Sequence, residues 1–216
     1  MLELLVVMTL LSLLMTGLIS AMRTMAQTET KIDQRFERLD DLRTSHAFLA
    51  QTLGRLSAVR TDDPGKPGKS LTVFSATADS LTWVGTLPAR PNVGGRHFFR
   101  LAVERADSGD ALVLRLAPGN VDLALPDWSV AERHVLISGV AKLTIQAQGR
   151  PTQGHEKASI WPQGWQAGWP ITDLLPEQLR LTLQDASQTD TVQWTFELHA
   201  LPQSDNTINV VSAGGG

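Results

Sequence analysis

The chain has 216 residues, a formal net charge of -3 and no cysteine. This length leaves room for one globular domain of about 150–160 residues beside any membrane anchor. The weakly acidic balance does not indicate a nucleic-acid-binding protein. The absence of Cys excludes a disulfide framework, a thiolate nucleophile and a zinc–thiolate site.

The first 22 residues, MLELLVVMTLLSLLMTGLISAM, are almost entirely apolar, and Glu3 is the only ionisable side chain among them. About 20 apolar residues in a helix cross the hydrocarbon core of a bilayer. A cleaved secretory signal is the alternative, but it needs a basic start, a shorter core and an A-x-A-like cleavage site. Residues 1–22 have none of these features, so we predict a transmembrane helix that also serves assembly.

Residues 23–60 are polar but compatible with a helix, with no Pro and no Gly before Gly54. Apolar side chains recur mostly at intervals of three, four or seven residues, which predicts an amphipathic helix. One helix is therefore expected from near Leu2 to near Leu56; at 1.5 Å per residue it would be about 80 Å long. Its apolar stripe is expected to pack on the rest of the chain and comprises Met25, Ile32, Phe36, Leu39, Leu42, Leu49, Leu53 and Leu56.

After a Pro- and Gly-rich linker at residues 63–69, the apolar pattern changes to the period of two that is typical of strands. A hairpin is predicted around residues 107–110, a loop at residues 87–95 and a strand break near Gly139. Strands are expected at residues 71–75, 81–84, 97–103, 111–116, 133–138, 140–147, 178–183 and 191–200. Residues 61–202 thus form a β-rich domain, and residues 203–216 are expected to be a disordered tail.

The predicted fold class is α+β. A long N-terminal helix, with a membrane half and an amphipathic half, would pack on a largely antiparallel β-sheet domain. Short connections between strands favour antiparallel pairing. A helix with one apolar stripe and a sheet with one apolar face bury each other.

The segment Leu2-Glu3-Leu4-Leu5-Val6-Val7 resembles the N-terminal segment of type IV pilins and type II secretion pseudopilins. The mature chain of that family opens with Phe-Thr-Leu-Leu-Glu, so Leu2 and Glu3 match its fourth and fifth positions. The family's N-methylated Phe and its basic leader ending in Gly are not in this sequence. We expect either that the start codon was chosen too late or that the chain is not the full precursor.

The order of segments in the second half is similar to that of the J-type minor pseudopilin. The segments are the hairpin at residues 98–116, the stretch 136–145, Gly168-Trp169-Pro170, Leu179-Arg-Leu-Thr-Leu and Trp194-Thr-Phe-Glu-Leu. The resemblance implies a pilin-like fold and a structural subunit of the heteromeric tip that primes a pseudopilus and supports protein export. It also implies the I-type and K-type minor pseudopilins, the major pseudopilin and inner-membrane lipid as partners.

The resemblance further implies a single-pass protein of the inner membrane with its domain in the periplasm. Read alone, the basic residues that follow the span would place that side in the cytoplasm, so the periplasmic placement depends on the resemblance. A minor pilin of a type IV pilus or DNA-uptake system remains an alternative. An anchored extracytoplasmic binding domain unrelated to pili is a third possibility.

Two features are candidate sites. Glu3 is either a carboxylate that reaches the membrane surface or, as the resemblance implies, an assembly residue that pairs with the N-terminal ammonium of a neighbouring subunit. Trp161 and Trp165 lie in a stretch whose Pro and Gly residues disfavour a helix. They are possible interface residues, whereas Trp169 is expected in the core; alternatively, all three indoles cover the chain's own core.

No motif in the sequence indicates catalysis. None of the five histidines (His46, His97, His134, His155 and His199) falls in an H-E-x-x-H spacing, and no Ser lies in a G-x-S-x-G motif. The sequence has no calcium loop of the D-x-D-x-D-G type. We therefore expect no enzyme, cofactor, metal, small-molecule substrate or nucleic-acid partner.

Overall fold

The computed structural model describes residues 2–57, 60–62, 70–90, 93–107, 109–119, 125–149, 164–171, 174–186 and 190–199. The chain forms two compact units, Met1–Thr44 and Ser45–Gly216, called here the N-terminal unit and the C-terminal unit. The predicted linker at residues 63–69, the predicted tail at residues 203–216 and Trp161 lie outside the described residues.

The first element is a single helix, α1, at Leu2–Leu53. The predicted continuous helix is confirmed, although it ends three residues before Leu56. The N–H of Gly54 still donates to the carbonyl of Ala50 at 2.9 Å, but a Cβ on Gly54 would lie only 2.8 Å from that oxygen. The chain then leaves the helix, and the N–H of Ser57 donates to the carbonyl of Val84 at 3.0 Å.

The strands of the C-terminal unit form three antiparallel sheets. Sheet one pairs β1 with β2, sheet two has the order β3-β4-β5-β6-β7, and sheet three has the order β11-β10-β8-β9. An apolar N-terminal helix followed by antiparallel sheets agrees with the predicted α+β class. The strands are β1 (Arg60–Asp62), β2 (Ser70–Thr72), β3 (Phe74–Ala76), β4 (Ser80–Arg90), β5 (Val93–Ala106), β6 (Gly109–Pro118), β7 (Glu132–Ser138), β8 (Val140–Gln148), β9 (Gln166–Ala167), β10 (Gln178–Asp185) and β11 (Thr191–Glu197).

The loop predicted at residues 87–95 is wrong. Strand β4 continues to Arg90, and β5 already begins at Val93. The two strands pair at Leu87 with Gly95 and at Arg90 with Val93, with a register shift between the pairs. Pro and Gly indicated a loop, yet both residue types are tolerated at such irregular strand ends.

The core of the C-terminal unit combines the last turns of α1 with both large sheets. Leu49 and Leu53 are fully buried, as are Trp83 and Phe99, whose rings stack with centroids 5.1 Å apart. The four-stranded sheet contributes further fully buried side chains, namely Ile145, Ala147, Leu179 and Leu181. Buried apolar residues alternate with less buried ones on β8 and β10, because every second side chain of a strand faces the same side. On β5 and β6 consecutive apolar residues are buried on both faces of the sheet, for example Phe98 and Phe99.

The apolar stripe of α1 is buried only at its C-terminal end. Phe36 is 66% exposed and Leu39 is 60% exposed, whereas Ser45 is 4% exposed and Leu49 is fully buried. The prediction that Phe36 packs on the sheet is therefore wrong. Burial of the stripe begins near Ser45, where the C-terminal unit itself begins.

A single residue, Gly139, separates β7 of the five-stranded sheet from β8 of the four-stranded sheet. Its φ of 71° lies in the left-handed region, which costs a residue with a side chain more than it costs Gly. The predicted break near Gly139 is thus confirmed. Further links between the sheets come from the N–H of Ile145, which donates to Ala78 at 2.8 Å, and from the N–H of Trp169, which donates to Ala76 at 2.7 Å.

Candidate functional site

The N-terminal unit carries a long, uncovered apolar helix surface. Leu2–Met25 comprises 24 residues; an 18-residue window within it has a mean hydropathy of 2.3, and none of that window is buried. Its length and composition are those of one membrane-crossing helix. Large side chains along it are between half and four-fifths exposed, for example Val6 at 54% and Leu2 at 82%.

The threonine hydroxyl groups in this segment donate hydrogen bonds within the helix. The Thr9 hydroxyl donates to the carbonyl of Val6 at 2.8 Å, and the Thr16 hydroxyl donates to the carbonyl of Ser12 at 2.8 Å. A polar group in hydrocarbon needs an internal partner because no water is present there. These threonines therefore suit a membrane environment even though they interrupt the apolar run.

Glu3 lies in the first turn of α1. The first turn has N–H groups without intrahelical acceptors, and the helix dipole favours a negative charge there. No cation of the described residues lies within ion-pair distance of Glu3. A carboxylate in an apolar run is costly without such a partner, and the pairing of Glu3 with a neighbouring subunit stays a prediction.

A shorter apolar stripe follows in the charged part of α1. It consists of Ile32, Phe36 and Leu39, which are 46%, 66% and 60% exposed. Their spacing of four and three residues puts them on one side of the helix. We call these three residues the distal stripe. Exposed apolar clusters rimmed by polar residues are typical of protein interaction sites.

The tryptophans near β9 differ in their surroundings. Trp169 is 7% exposed, and its indole N–H donates to the carbonyl of Leu174 at 2.7 Å; its predicted place in the core is confirmed. Trp165 is partly buried, with the guanidinium carbon of Arg180 3.9 Å from its ring centroid. The interface role of Trp165 stays a prediction.

Sequence reasoning missed an ion-pair network on the outer face of the five-stranded sheet. Arg115 of β6 binds Glu104 of β5 through two hydrogen bonds of 2.8 Å, and its third donor reaches the carbonyl of Trp128 at 2.8 Å. Arg133 of β7 lies 3.5 Å from the same carboxylate. Only strand register brings these residues together, so no spacing in the sequence could have revealed them.

The network lowers the pKa of Glu104 below its ordinary value of 4.5. The hydrogen bonds from Arg115 are the main cause, and partial burial of the carboxyl group opposes them. A carboxyl group whose pKa is lower in the folded state stabilises the fold above its unfolded pKa. That contribution is lost as the pH falls through the folded pKa.

We expect Glu104→Gln to lower the free energy of unfolding by about 1–2 kcal/mol at pH 7, since the carboxylate is partly exposed. The difference from the unmodified chain should shrink as the pH is lowered from about 4.5 towards 3, because the native carboxyl group is then protonated as well. Urea unfolding of both proteins at several pH values measures this. A difference that stays constant with pH would show that the charge of Glu104 is not what stabilises the sheet.

Four of the five histidines lie within the described residues. His46 packs between Trp194 and Phe196, with ring centroids 5.4 and 5.2 Å away. His134 lies 2.9 Å from Glu132. Among the described residues no group of three or more His, Asp or Glu side chains could hold a metal ion.

Comparison with protein-family models and with curated proteins found no match for this chain.

Proposed function

We propose that the chain is a structural, non-enzymatic minor pseudopilin, of the J type, in a type II secretion pseudopilus. In this role it belongs to the heteromeric tip that primes assembly of the pseudopilus and supports protein export. The observation that carries the proposal is helix α1. It begins as an uncovered apolar segment with a carboxylate in its first turn and ends as part of the core of an antiparallel β-sheet unit.

The apolar segment needs an environment other than water. Each exposed Å² of apolar surface costs about 25 cal/mol in water, and Leu2–Met25 exposes nearly all of its side chains. A bilayer removes this cost for an isolated subunit, and neighbouring helices remove it in a fibre. A pseudopilin uses both environments, first as a single-pass protein of the inner membrane and then as a fibre subunit.

The distal stripe supports partner subunits beyond the membrane. Ile32, Phe36 and Leu39 continue the apolar face of α1 among charged residues, where lipid tails are absent. We infer that helices of the I-type and K-type minor pseudopilins and of the major pseudopilin cover them, with the C-terminal unit in the periplasm. This assignment extends the N-terminal resemblance, and an apolar helix followed by antiparallel sheets is compatible with it.

Replacing Glu3 by Ala tests the proposal. We expect recovery of the I-type and K-type partners with the tagged chain from detergent-solubilised membranes to fall at least about tenfold. The reason is that the N-terminal ammonium of the neighbouring subunit, buried in lipid, would lose the carboxylate that pairs with it. A loss of about 1.4 kcal/mol in binding free energy already corresponds to a tenfold lower affinity. The matched control is Glu29→Ala, which removes an exposed carboxylate of the same helix beyond the span; its recovery should be unchanged.

The readout also includes export of a substrate of the secretion system and the urea midpoint of the C-terminal unit. That midpoint should not move in either variant, since Glu3 is outside the unit. Unchanged recovery and export for Glu3→Ala would support a carboxylate that merely reaches the membrane surface. Recovery of pilus or DNA-uptake proteins in place of secretion proteins would favour the alternative function.

A further inference from the structure

Three arginines lie side by side on the outer face of the five-stranded sheet. Arg100 of β5 is directly opposite Arg115 of β6, and Arg115 is directly opposite Arg133 of β7. Directly paired residues of antiparallel strands project to the same face, and like charges in such pairs destabilise the sheet. We call these three residues the arginine row.

A single carboxylate, that of Glu104, neutralises only part of the positive charge of the arginine row. Glu104 binds Arg115 through two hydrogen bonds of 2.8 Å and lies 3.5 Å from Arg133. Arg133 also donates to the carbonyl of Arg105 at 3.0 Å. Arg100 has no hydrogen bond or ion pair with any of the described residues, so the row with Glu104 carries a net charge of +2.

The neighbouring contacts hold the row in place. The carbonyl of Trp128 accepts a hydrogen bond of 2.8 Å from Arg115. The loop that carries Trp128 is itself fixed, because the Asp127 carboxylate accepts from the N–H and the hydroxyl of Ser129 at 2.9 and 2.7 Å. A ligand would therefore meet the guanidinium groups of Arg115 and Arg133 already ordered beside Arg100, which lowers the entropy cost of binding.

We propose that the arginine row is a docking site for a short acidic segment of a partner protein, with Arg100 as its principal contact. Neighbouring strands lie about 4.8 Å apart, so the row spans about 10 Å. Carboxylates two residues apart in an extended peptide are separated by about 6.7 Å, so both can reach the row. Guanidinium groups bind carboxylates through paired hydrogen bonds.

The surroundings favour a short segment over a long polyanion. Asp127 and Glu132 are exposed and lie close in sequence to Trp128 and Arg133, and the chain as a whole has a net charge of -3. A nucleic acid that extended beyond the row would meet these carboxylates. Phe98 and Phe99, next to Arg100 in the sequence, are fully buried. Trp128 packs on a buried cluster of Val73, Val84, Phe98 and Ala117, so none of these rings is free for base stacking.

The test uses the full chain in an uncharged detergent at low salt. The probe is a fluorescein-labelled hexapeptide of alternating Glu and Ser, followed by fluorescence anisotropy. Arg100→Gln should weaken binding about tenfold, in the range of one charge-assisted hydrogen-bonded contact. Because Arg100 has no hydrogen bond or ion pair with any residue in the described part of the chain, the melting temperature of this variant should be unchanged.

The matched control is Arg105→Gln, which removes an 83% exposed arginine of the same strand. Arg105 is an odd number of residues from Arg100, so it projects to the opposite face of the sheet. The Arg105→Gln variant should change the affinity for the Glu peptide less than twofold. A peptide with Gln in place of Glu should not bind, and salt should weaken binding of the Glu peptide.

Equal losses of peptide affinity for Arg100→Gln and Arg105→Gln would overturn the proposal, since binding would then depend on the total charge of the protein. Absence of binding by the unmodified chain at low salt would overturn it as well. Tighter binding of a single-stranded oligonucleotide of equal charge would assign the row to phosphate ligands and reject the acidic protein segment. The result is independent of the Glu3 experiment, which measures assembly through another part of the chain.

Discussion

Replacing Leu53 by Ala is expected to lower the free energy of unfolding of the C-terminal unit by about 2–5 kcal/mol. Leu53 is the last residue of α1 and is fully buried. Truncation removes its apolar transfer free energy and leaves a cavity. The surroundings cannot collapse easily, because the backbone of Gly85 lies close beneath: a Cβ there would be 3.4 Å from the carbonyl oxygen of Thr52. Urea unfolding of the full chain in detergent measures the loss.

Phe36→Ala is the matched control on the same helix. Phe36 is 66% exposed, so its truncation should change the free energy of unfolding by less than about 0.5 kcal/mol. Comparing the unfolding free energies of Leu53→Ala and Phe36→Ala distinguishes the two sections of the apolar stripe. One section is buried in the C-terminal unit, and the other is available to partners. A loss of 2 kcal/mol or more for Phe36→Ala would mean that the β-sheet unit covers the distal stripe in solution.

Replacing Trp169 by Ala should cost about 3–5 kcal/mol of unfolding free energy. The change removes a 7% exposed indole and its hydrogen bond to Leu174. The preceding Gly168 has a φ of 69°, and a Cβ on it would lie 2.6 Å from the carbonyl oxygen of Ala76. The indole is therefore positioned by a backbone packed tightly on the end of β3 and the turn that follows it, so its removal is expected to leave a cavity. Thermal melting followed by circular dichroism measures the effect.

Trp165→Ala is the comparison. Its ring is partly buried and contacts Arg180, and a partly exposed cation–π pair contributes about 0.5–1 kcal/mol. We expect a small change in melting and, for an interface residue, binding to the I-type or K-type partner weakened by about 2 kcal/mol. Equal destabilisation by both variants, with partner binding per folded molecule unchanged, would place both indoles in the core.

The parts of the fold that were predictable from the sequence have a strong local signal. The continuous helix followed from the absence of Pro and Gly between residues 23 and 53, and the strand break followed from Gly139. The hairpin predicted at residues 107–110 is present, with Gly109 at a φ of 120°. In each case a backbone preference or a short apolar period determines the element without reference to distant residues.

Features that depend on distant residues were not predictable. The apolar pattern of α1 is the same at Phe36 as at Leu49, so the pattern alone could not tell which part is covered. Likewise, the residues of the Glu104–Arg115–Arg133 network are polar positions on three strands, and only the register aligns them. The loop predicted at residues 87–95 failed for a related reason, since pairing between strands outweighed the local preference of Pro and Gly.

The junction at Gly139 has a consequence for anyone who divides this chain into fragments. A cut there would put every strand of the five-stranded sheet, β3 to β7, on one fragment and every strand of the four-stranded sheet, β8 to β11, on the other. The hydrogen bonds from Ile145 to Ala78 and from Trp169 to Ala76 would then have to join two separate chains, and each separated fragment would expose apolar side chains that are buried in the shared core. A soluble fragment therefore has to retain the whole stretch from Ser45 to Leu198. We expect its two large sheets to fold and unfold together as one cooperative unit.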